Sequence, residues 1–460
     1  MLEADAEMDA GDIWASVRFP MSRGSKSKLY RHQVTQAAVH CVLQALESME
    51  DSTFRPEPLD YSKPDVQGRA HPKIKQENRR IDWTATTEEI ARNIRAADSH
   101  PGVLDEIYGE PVYLFGAHEE DVLKGKPGEI MAYRDGAICR ATGDGAVWIT
   151  HLKPKGYFKL PATMVLNEKL NTIPEMPLSP FEDYPGRTYR EIYYEEIGKV
   201  GYLRFDFYNG AMSTDQCIRL RQALAAVKQK KVNVIVLMGG ADFWSNGIHL
   251  NVIEHAANPA DESWANIHAM NDLVREIMLT DSQVTISAMQ GNVGAGGVIL
   301  AVAADQVYAR NGVVLNPYYK KMGGLFGSEY WTYLLPRRVG LDKAMQLTEE
   351  CLPVGTTTAK SIGLIDDAFG DDREAFCSQI AEIAEKLAHS PNFDRLLAAK
   401  NQNRTRDEQV KPLERYRKEE LERMWLNFYG EDPSYHTARR QFVYKLSCSV
   451  KTAQLPVSLA

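Results

Sequence analysis

The chain after Tyr189 alternates short apolar runs with longer helical ones, and this pattern limits the fold most strongly. The apolar runs end in glycine or turn residues and read VGYLRFDF, VNVIVLMGG, VTISAMQG and DQVYARNG. Helical stretches such as STDQCIRLRQALAAVKQK separate them. Continuous apolar strands connected through helices are typical of a parallel sheet that is covered on both faces. The sequence therefore predicts an α/β domain, which we place at residues 191–370.

The rest of the chain divides by composition. Residues 1–65 contain a helix candidate, SKLYRHQVTQAAVHCVLQALESME, with one apolar face formed by Val34, Ala38, Val42, Leu43 and Leu46. Residues 66–160 contain a short helix, TEEIARNIRAAD, and then turns every 8–12 residues, which indicate a small β-barrel or sheet. Residues 161–190 are proline-rich and are predicted to be a linker. Residues 371–460 are predicted to be a helical C-terminal segment whose charges form a solvated helix face.

Composition excludes several classes of function. The chain has 460 residues, of which 44% are apolar and 25% charged, as in a soluble protein of more than one domain. A net charge of −8 provides no basic field for nucleic acid. The six cysteines contain no C-x-x-C pair, and His249, His255 and His268 lack zinc-helix spacing, so neither a disulfide framework nor a metal site is expected. No apolar run is long enough for a membrane span, and an acidic start argues against a secretory leader. We expect a cytoplasmic protein.

Two glycine-containing loops of the α/β region share one design. GGADFWSNGIHL follows the strand at 232–238, and QGNVGAGGVIL follows the strand at 284–289. Glycine allows a sharp turn after each strand and leaves backbone N–H groups without partners. The N–H groups of Ile248 and Gly296 would then converge on one carbonyl oxygen as an oxyanion hole. Simple strand–helix corners of an α/β fold would give the same spacing and remain an alternative. A dinucleotide-binding loop fits less well, because GAGGVI lacks its third glycine and its acidic residue.

The same residues resemble the crotonase family of enoyl-CoA hydratases and isomerases. The resemblance rests on ADFWSNGIHLN and QGNVGAGGVILAVAADQVYA, followed by RRVGLDKAMQLTEECLPVGTTTAKSIGLIDDAFGD. It implies a spiral of ββα units and a coenzyme A thioester along the first loop, with its carbonyl on the N–H groups of Ile248 and Gly296. The residues that would bind the cofactor are Ser245, Gly247, Ile248, His249, Gly296 and Arg337. Arg338, Arg23 and Lys28 are alternatives to Arg337 at the phosphates of coenzyme A.

The chain departs from that family at both catalytic acids. Hydratases have one glutamate where this chain has Ile299, and a second near LNPYYKK, where Tyr318 is the closest counterpart. Without two carboxylates, the chain lacks the general acid and the general base that the addition of water requires. Tyr318, Glu329 and Tyr330 remain as candidates for moving a proton, and Ile299 would form a dry apolar wall.

The front half resembles the folate-dependent formyltransferases. EADAEMDAGDIWAS contains the loop of their catalytic aspartate, at Asp9, and RRIDWTATTEEIARNIRAADSHPGV matches the start of their C-terminal barrel domain. The resemblance implies a formyl-tetrahydrofolate cofactor and makes residues 1–65 a remnant of the catalytic domain. The asparagine and histidine that such enzymes need before the aspartate are not found, so the donor site is expected to be incomplete. A misplaced start, a fragment and a separate subunit are the three explanations, of which we favour an incomplete gene model.

A formyltransferase-like half followed by a crotonase-like half resembles a family of hydrogenase maturation proteins. That resemblance implies transfer of a formyl group to coenzyme A and release of carbon monoxide from formyl-CoA, with NiFe hydrogenase maturation proteins as partners. Two other functions stay open. One is a crotonase-fold hydrolase or decarboxylase of another acyl-CoA, and the other is a non-catalytic scaffold that binds coenzyme A.

Overall fold

A computed structural model describes residues 1–6, 9–64 and 71–446, so Cys448 lies outside the described residues. The chain divides into two compact units. Unit 1 contains residues 1–177 and 184–189, and unit 2 contains residues 178–183 and 190–460.

The centre of unit 1 is an antiparallel sheet of six strands, in the order β1-β2-β5-β4-β3 with β6 paired to β5. The strands are β1 Val103–Ile107, β2 Glu110–Glu120, β3 Ile130–Arg134, β4 Ala137–Ala141, β5 Ala146–Pro154 and β6 Leu160–Pro161. Ile90 and Ile94 of helix α3 (Thr87–Ala97) are buried against the sheet, because residues four apart lie on one helix face. The helix begins where the Thr86 side chain accepts a hydrogen bond from the Glu89 N–H. The predicted sheet and helix are confirmed.

The helix expected near the N-terminus runs from α1 (Lys26–Leu29) through a π-helical turn (Tyr30–Val34) into α2 (Thr35–Glu50). Its apolar face is not packed as the periodicity suggests. Val42, Leu43 and Leu46 are exposed, and the buried residues of α2 are Cys41 and Ala45 on another face. Within the described residues, this face therefore has no hydrophobic partner.

The first third of the expected linker is folded. After β6 come helix α4 (Ala162–Leu166) and a 3₁₀ turn (Asn167–Leu170). Ala162, Leu166 and Leu170 recur every four residues and are buried in the same core as α3 and the sheet. The prolines therefore obscured a short apolar helix that belongs to unit 1.

Unit 2 contains two sheets, and the chain alternates between them as it adds strands. The larger has the order β16-β13-β11-β9-β8-β7 and the smaller has the order β10-β12-β14-β15. The strands are β7 Ile192–Ile197, β8 Val200–Phe205, β9 Val234–Met238, β10 Phe243–Ser245, β11 Val284–Met289, β12 Asn292–Gly294, β13 Gln306–Arg310, β14 Val314–Asn316, β15 Val354–Gly355 and β16 Asp367–Phe369. The pairs β8–β9, β9–β11 and β11–β13 are parallel, as the sequence predicts. From β9 to β14 each turn of the chain adds one strand to each sheet, which is the expected ββα spiral.

Helices cover these sheets and form the C-terminal segment. They are α5 Thr214–Val227, α6 Leu250–His255, α7 Pro259–Met278, α8 Gly296–Val302, α9 Trp331–Val339, α10 Leu341–Glu350, α11 Thr356–Ser361, α12 Arg373–Ala388, α13 Phe393–Val410, α14 Leu413–Tyr429 and α15 Ser434–Tyr444. The apolar residues of α8 are all buried in the largest core cluster of the unit. Leu421, Met424 and Phe428 of α14 share a second cluster with Ile267 of α7. The C-terminal helices are therefore part of unit 2 and not an appended tail.

Candidate active site

The two glycine loops lie side by side because the strands before them are neighbours. β10 pairs with β12 in parallel, with Phe243 opposite Asn292 and Ser245 opposite Val293. The residues after each strand therefore leave the sheet together. A Cβ atom placed on Gly247 would lie 3.1 Å from the backbone nitrogen of Gly296. Gly247 also has a φ of +74°, a conformation that glycine adopts without a steric cost.

The hydrogen bonds of the two loops direct two N–H groups away from the fold. The carbonyl of Gly247 accepts a hydrogen bond from the Met212 N–H at 2.9 Å, and the carbonyl of Ala295 accepts one from the Val298 N–H at 3.2 Å. In a trans peptide the C=O and the following N–H point in opposite directions, so the N–H groups of Ile248 and Gly296 face outward. Among the described residues neither N–H has a hydrogen-bond partner. The structure thus brings together the two donors that the sequence predicts.

Ser245 and His249 shape the first loop from inside. The Ser245 side chain is fully buried, accepts a hydrogen bond from the Gly247 N–H at 3.1 Å and donates to the Met212 sulfur. The ring of His249 accepts a hydrogen bond from the Val252 N–H and so caps α6. Burial lowers the pKa of His249 to about 4, so the ring is neutral at neutral pH. These contacts place both residues behind the loop, whereas a direct contact with coenzyme A stays a prediction.

The buried carboxyl of Glu329 lies against Gly296. A Cβ atom placed on Gly296 would lie 2.5 Å from the Oε1 atom of Glu329, so this carboxyl occupies the space where any other residue would have a side chain. Glu329 is 3% exposed. It precedes α9 in a turn where both Glu329 and Tyr330 have positive φ angles, 62° and 63°. Two consecutive non-glycine residues in this region are strained and persist only when their surroundings hold them.

Two side chains hold this turn from opposite sides. The Oδ1 atom of Asn271, on α7, accepts hydrogen bonds from the Glu329 N–H at 2.6 Å and from the Ser328 hydroxyl at 3.0 Å. The carboxylate of Glu420, on α14, accepts one from the Tyr330 N–H at 2.9 Å. Both side chains are buried. The position of Glu329 is therefore set by two distant helices and not by its own helix.

The surroundings of Glu329 disfavour its charged form. Burial, and next the nearby Glu420 carboxyl, raise the pKa of Glu329 to about 8. Burial first, and the Glu329 charge second, raise the pKa of the Cys217 thiol and that of the Tyr319 hydroxyl. Among the described residues Glu329 forms no ion pair that would offset this cost. A carboxyl poised near neutral pH beside two unpaired N–H groups is suited to proton transfer.

The two candidate tyrosines lie in different places. Tyr318 follows β14 in a 3₁₀ turn, and its ring would lie 3.0 Å from a Cβ atom on Gly294, beside the oxyanion loop. Tyr330 is fully buried, and this burial raises the pKa of its hydroxyl, although the nearby Arg417 of α14 acts in the opposite direction. Tyr319, which the sequence did not single out, is the tyrosine near Glu329, and its buried hydroxyl has no hydrogen-bond partner among the described residues.

Ile299 lies one helical turn beyond Gly296, whereas Arg337 lines a separate cleft. Ile299 is completely buried in the apolar core. Arg337 is paired with Asp407 at 2.8 Å and lines a cleft of about 1120 Å³ together with Val302 and other residues. Val302 ends α8, whose seven residues span about 10 Å, and Gly296 begins it. The structure therefore does not bring Arg337 to Gly296. The sequence could not show that Arg337 forms an ion pair with Asp407.

The predicted folate residue is isolated. Asp9 is exposed in a turn of unit 1, with a φ of 60°. An exposed carboxyl in a turn does not by itself form a folate site, so the role of Asp9 stays a prediction. The described residues also contain no group of metal-binding side chains and no helix long and apolar enough to cross a membrane.

Comparisons with known proteins agree with both halves of the fold. Residues 73–170 match the formyl transferase C-terminal domain, and residues 203–446 match the enoyl-CoA hydratase/isomerase family. The chain is also similar to methionyl-tRNA formyltransferase from Pseudoalteromonas translucida, at 24% identity over 37% of this chain and 52% of that protein. Fold and site thus define a protein with a formyltransferase C-terminal domain joined to an enoyl-CoA hydratase/isomerase domain.

Two relatives have both halves. Hydrogenase maturation factor HoxX from Bradyrhizobium diazoefficiens is 44% identical, and the alignment covers 100% of this chain and 79% of that protein. The crystal structure of HypX from Aquifex aeolicus in complex with tetrahydrofolic acid has a TM-score of 0.94 and 45% identity, covering 100% of this chain and 82% of that one. The chain belongs to the HypX/HoxX family of hydrogenase maturation factors. The two resemblances inferred from sequence motifs are confirmed.

Proposed function

We propose that this chain releases carbon monoxide from formyl-CoA, as a step in the maturation of a NiFe hydrogenase. The observation that carries the proposal is the Glu329 carboxyl, which lies against Gly296 beside the outward N–H groups of Ile248 and Gly296. A thioester carbonyl bound to those N–H groups would present its carbon to the carboxyl. The reaction turns formyl-CoA into carbon monoxide and free coenzyme A and needs no water.

One proton moves in this reaction. The ionised Glu329 takes the proton from the formyl carbon, and the electron pair of that C–H bond stays on carbon as the lone pair of carbon monoxide. The C–S bond breaks, its electron pair goes to sulfur, and the thiolate takes the proton back from Glu329. The N–H groups of Ile248 and Gly296 stabilise the negative charge that builds up on the formyl oxygen.

The raised pKa of Glu329 suits this role. A stronger base removes a proton from carbon more readily, and a pKa near 8 still leaves part of the population ionised at neutral pH. Because the ionised form is the base, the rate of release should increase as the pH rises through the pKa of Glu329. The buried surroundings, including the apolar residue at position 299, favour loss of carbon monoxide over hydrolysis.

Formyl-tetrahydrofolate is the formyl source that the front half suggests, and the Aquifex relative binds tetrahydrofolic acid. The role of Asp9 toward that cofactor is a prediction from the sequence alone, and the proposed reaction does not depend on it. Coenzyme A enters as part of the substrate. Proteins of NiFe hydrogenase maturation are the proposed partners that would receive the product.

A direct assay separates this function from the alternatives. The protein is mixed with formyl-CoA, and carbon monoxide is trapped on reduced haemoglobin while free thiol and formate are measured. We expect carbon monoxide and thiol in equal amounts, released more slowly when the formyl carbon carries deuterium. Thiol with formate and no carbon monoxide would indicate a hydrolase. Tight binding of coenzyme A without turnover would indicate a scaffold.

A further inference from the structure

One carboxylate of the C-terminal segment is buried. Helix α14 has a sequence full of charges, and Glu419 and Glu422 are exposed as expected of a solvated face. Glu420 between them is 1% exposed and lies on the same side as Met424 and Phe428. A charged residue in an apolar stripe is costly unless it forms hydrogen bonds, so its contacts indicate why it is there.

Those contacts all go to the segment that contains Glu329. The carboxylate of Glu420 accepts hydrogen bonds from the Tyr330 N–H and the Thr332 N–H, each at 2.9 Å, and from the Thr332 hydroxyl. The Ser328 hydroxyl lies 3.5 Å away. The N–H groups at the start of a helix have no partner within it, and Glu420 satisfies two of them at α9.

The strain of the turn makes these bonds consequential. Glu329 and Tyr330 both have positive φ angles, which a non-glycine residue leaves readily unless it is held. Asn271 holds the Glu329 N–H, and Glu420 holds the N–H groups of Tyr330 and Thr332. Without Glu420, the turn would be fixed on one side only.

We propose that Glu420 is a positioning residue of the active site, which holds the Ser328–Thr332 segment so that the Glu329 carboxyl rests against Gly296. The inference deepens the proposed function and rests on it. It makes the C-terminal helical segment a necessary part of the site and not a support outside it. Glu420 itself does not contact the substrate.

Glu420 also affects the pKa of Glu329. The ionisable groups near Glu329 are Cys217 from α5, Tyr319 from the 3₁₀ turn and Glu420 from α14. Of these, the negative charge of Glu420 is the second cause, after burial, of the raised pKa of Glu329, and burial also raises the pKa of Glu420 itself to about 7. Removing that charge lowers the pKa of Glu329, so its ionised form would appear at a lower pH.

The test is a set of variants in the full chain. Glu420→Gln keeps the size of the side chain but removes its charge and one acceptor. Glu420→Asp keeps the carboxylate on a shorter arm. Glu422→Gln is the matched control, because it removes an exposed carboxyl two residues away that pairs only loosely with Lys418, at 3.9 Å. Carbon monoxide release is measured against pH, and the Glu329 carboxyl is titrated by ¹³C NMR, with Glu329→Gln to assign its signal.

In Glu420→Gln we expect release to fall by about 10- to 100-fold, since a small misplacement of a reacting group is enough for this. The acidic limb of the rate profile and the titration midpoint of Glu329 should both move down by roughly one pH unit, with Glu420→Asp in between. Glu422→Gln should match the wild type. An unmoved Glu329 midpoint in folded Glu420→Gln overturns the positioning role. A wild type that releases no carbon monoxide overturns the proposed function instead, and the NMR midpoint still decides the role of Glu420.

Discussion

The first turn of α8 and the Ser328–Tyr330 turn meet at Gly296, and they supply different chemistry. The α8 turn has no acidic residue, and its Ile299 is buried in the apolar core. It contributes only the Gly296 N–H. The other turn contributes a buried carboxyl whose pKa is raised to about 8. Compared with the hydratase pattern that this half resembles, the proposed site takes its carboxyl from a different element.

The number of carboxyl groups that a site needs depends on how many protons its reaction moves. Two carboxylates facing one water molecule perform hydration, whereas one base beside an oxyanion hole can perform a reaction that moves a single proton. The second carboxyl, Glu420, is engaged with backbone N–H groups and is not available to a substrate.

Glu329→Gln should have the largest effect, because it removes the proposed base and keeps the volume of the side chain. Loss of general base catalysis lowers rates by about 10²–10⁴-fold, and we expect carbon monoxide release to fall within that range. The haemoglobin assay measures it. Glu350→Gln, an exposed carboxyl at the end of α10, is the control. A rate within twofold of the wild type would mean that another residue moves the proton.

Ile299→Glu tests the other side of the contrast. A carboxyl at this fully buried position has no partner, so we expect the free energy of unfolding to fall by about 3 kcal/mol or more. Ile299→Val should cost only about 0.5–1.5 kcal/mol. Urea unfolding followed by tryptophan fluorescence compares the two. If Ile299→Glu kept its stability and released formate, position 299 would face the substrate after all.

Gly296→Ala tests the contact between the two turns. The added methyl would meet the Oε1 atom of Glu329 at 2.5 Å, so the carboxyl must shift. We expect kcat for carbon monoxide release to fall by about 10- to 100-fold. Gly355→Ala is a matched control, because its Cβ atom would meet nothing within 4 Å. Equal rates for both variants would place Glu329 elsewhere in solution.

Arg337→Ala should have the smallest effect. Arg337 is half-exposed and paired with Asp407 in the cleft at the far end of α8. Removing such a pair costs about 0–1 kcal/mol, and KM for formyl-CoA should change less than twofold. A tenfold higher KM, with kcat unchanged, would instead support the sequence-based expectation that Arg337 binds a phosphate of coenzyme A.

Much of the fold follows from local patterns. The strands ending in glycine at 234–238 and 284–289 were predicted because a parallel sheet needs continuous apolar runs. The two N–H donors followed from the glycine turns. The apolar face of α2 was misleading, because periodicity shows which residues share a face but not whether anything covers it. The prolines at 161–190 likewise obscured α4.

The support of the carboxyl could not be predicted in the same way. Glu329 was one of three candidates, but Asn271 and Glu420 act on it from 58 and about 90 residues away in sequence. No local pattern encodes such contacts. One signal was present: Glu420 interrupts the apolar stripe of α14, and a charge at such a position indicates a specific partner. Tyr318 and Tyr319 are adjacent residues of the same type, and the sequence does not show that Tyr319 is the more deeply buried of the two.

The distance along the chain between Tyr330 and Glu420, 90 residues, also has a consequence for biosynthesis. A ribosome that adds 5–20 residues each second needs roughly 5–20 s to extend the chain from the one to the other. During that interval the oxyanion loops and Glu329 have been made, but the acceptor for the Tyr330 N–H has not. A chain whose translation stops before α14 would therefore contain every group proposed to touch the substrate and still lack an assembled site.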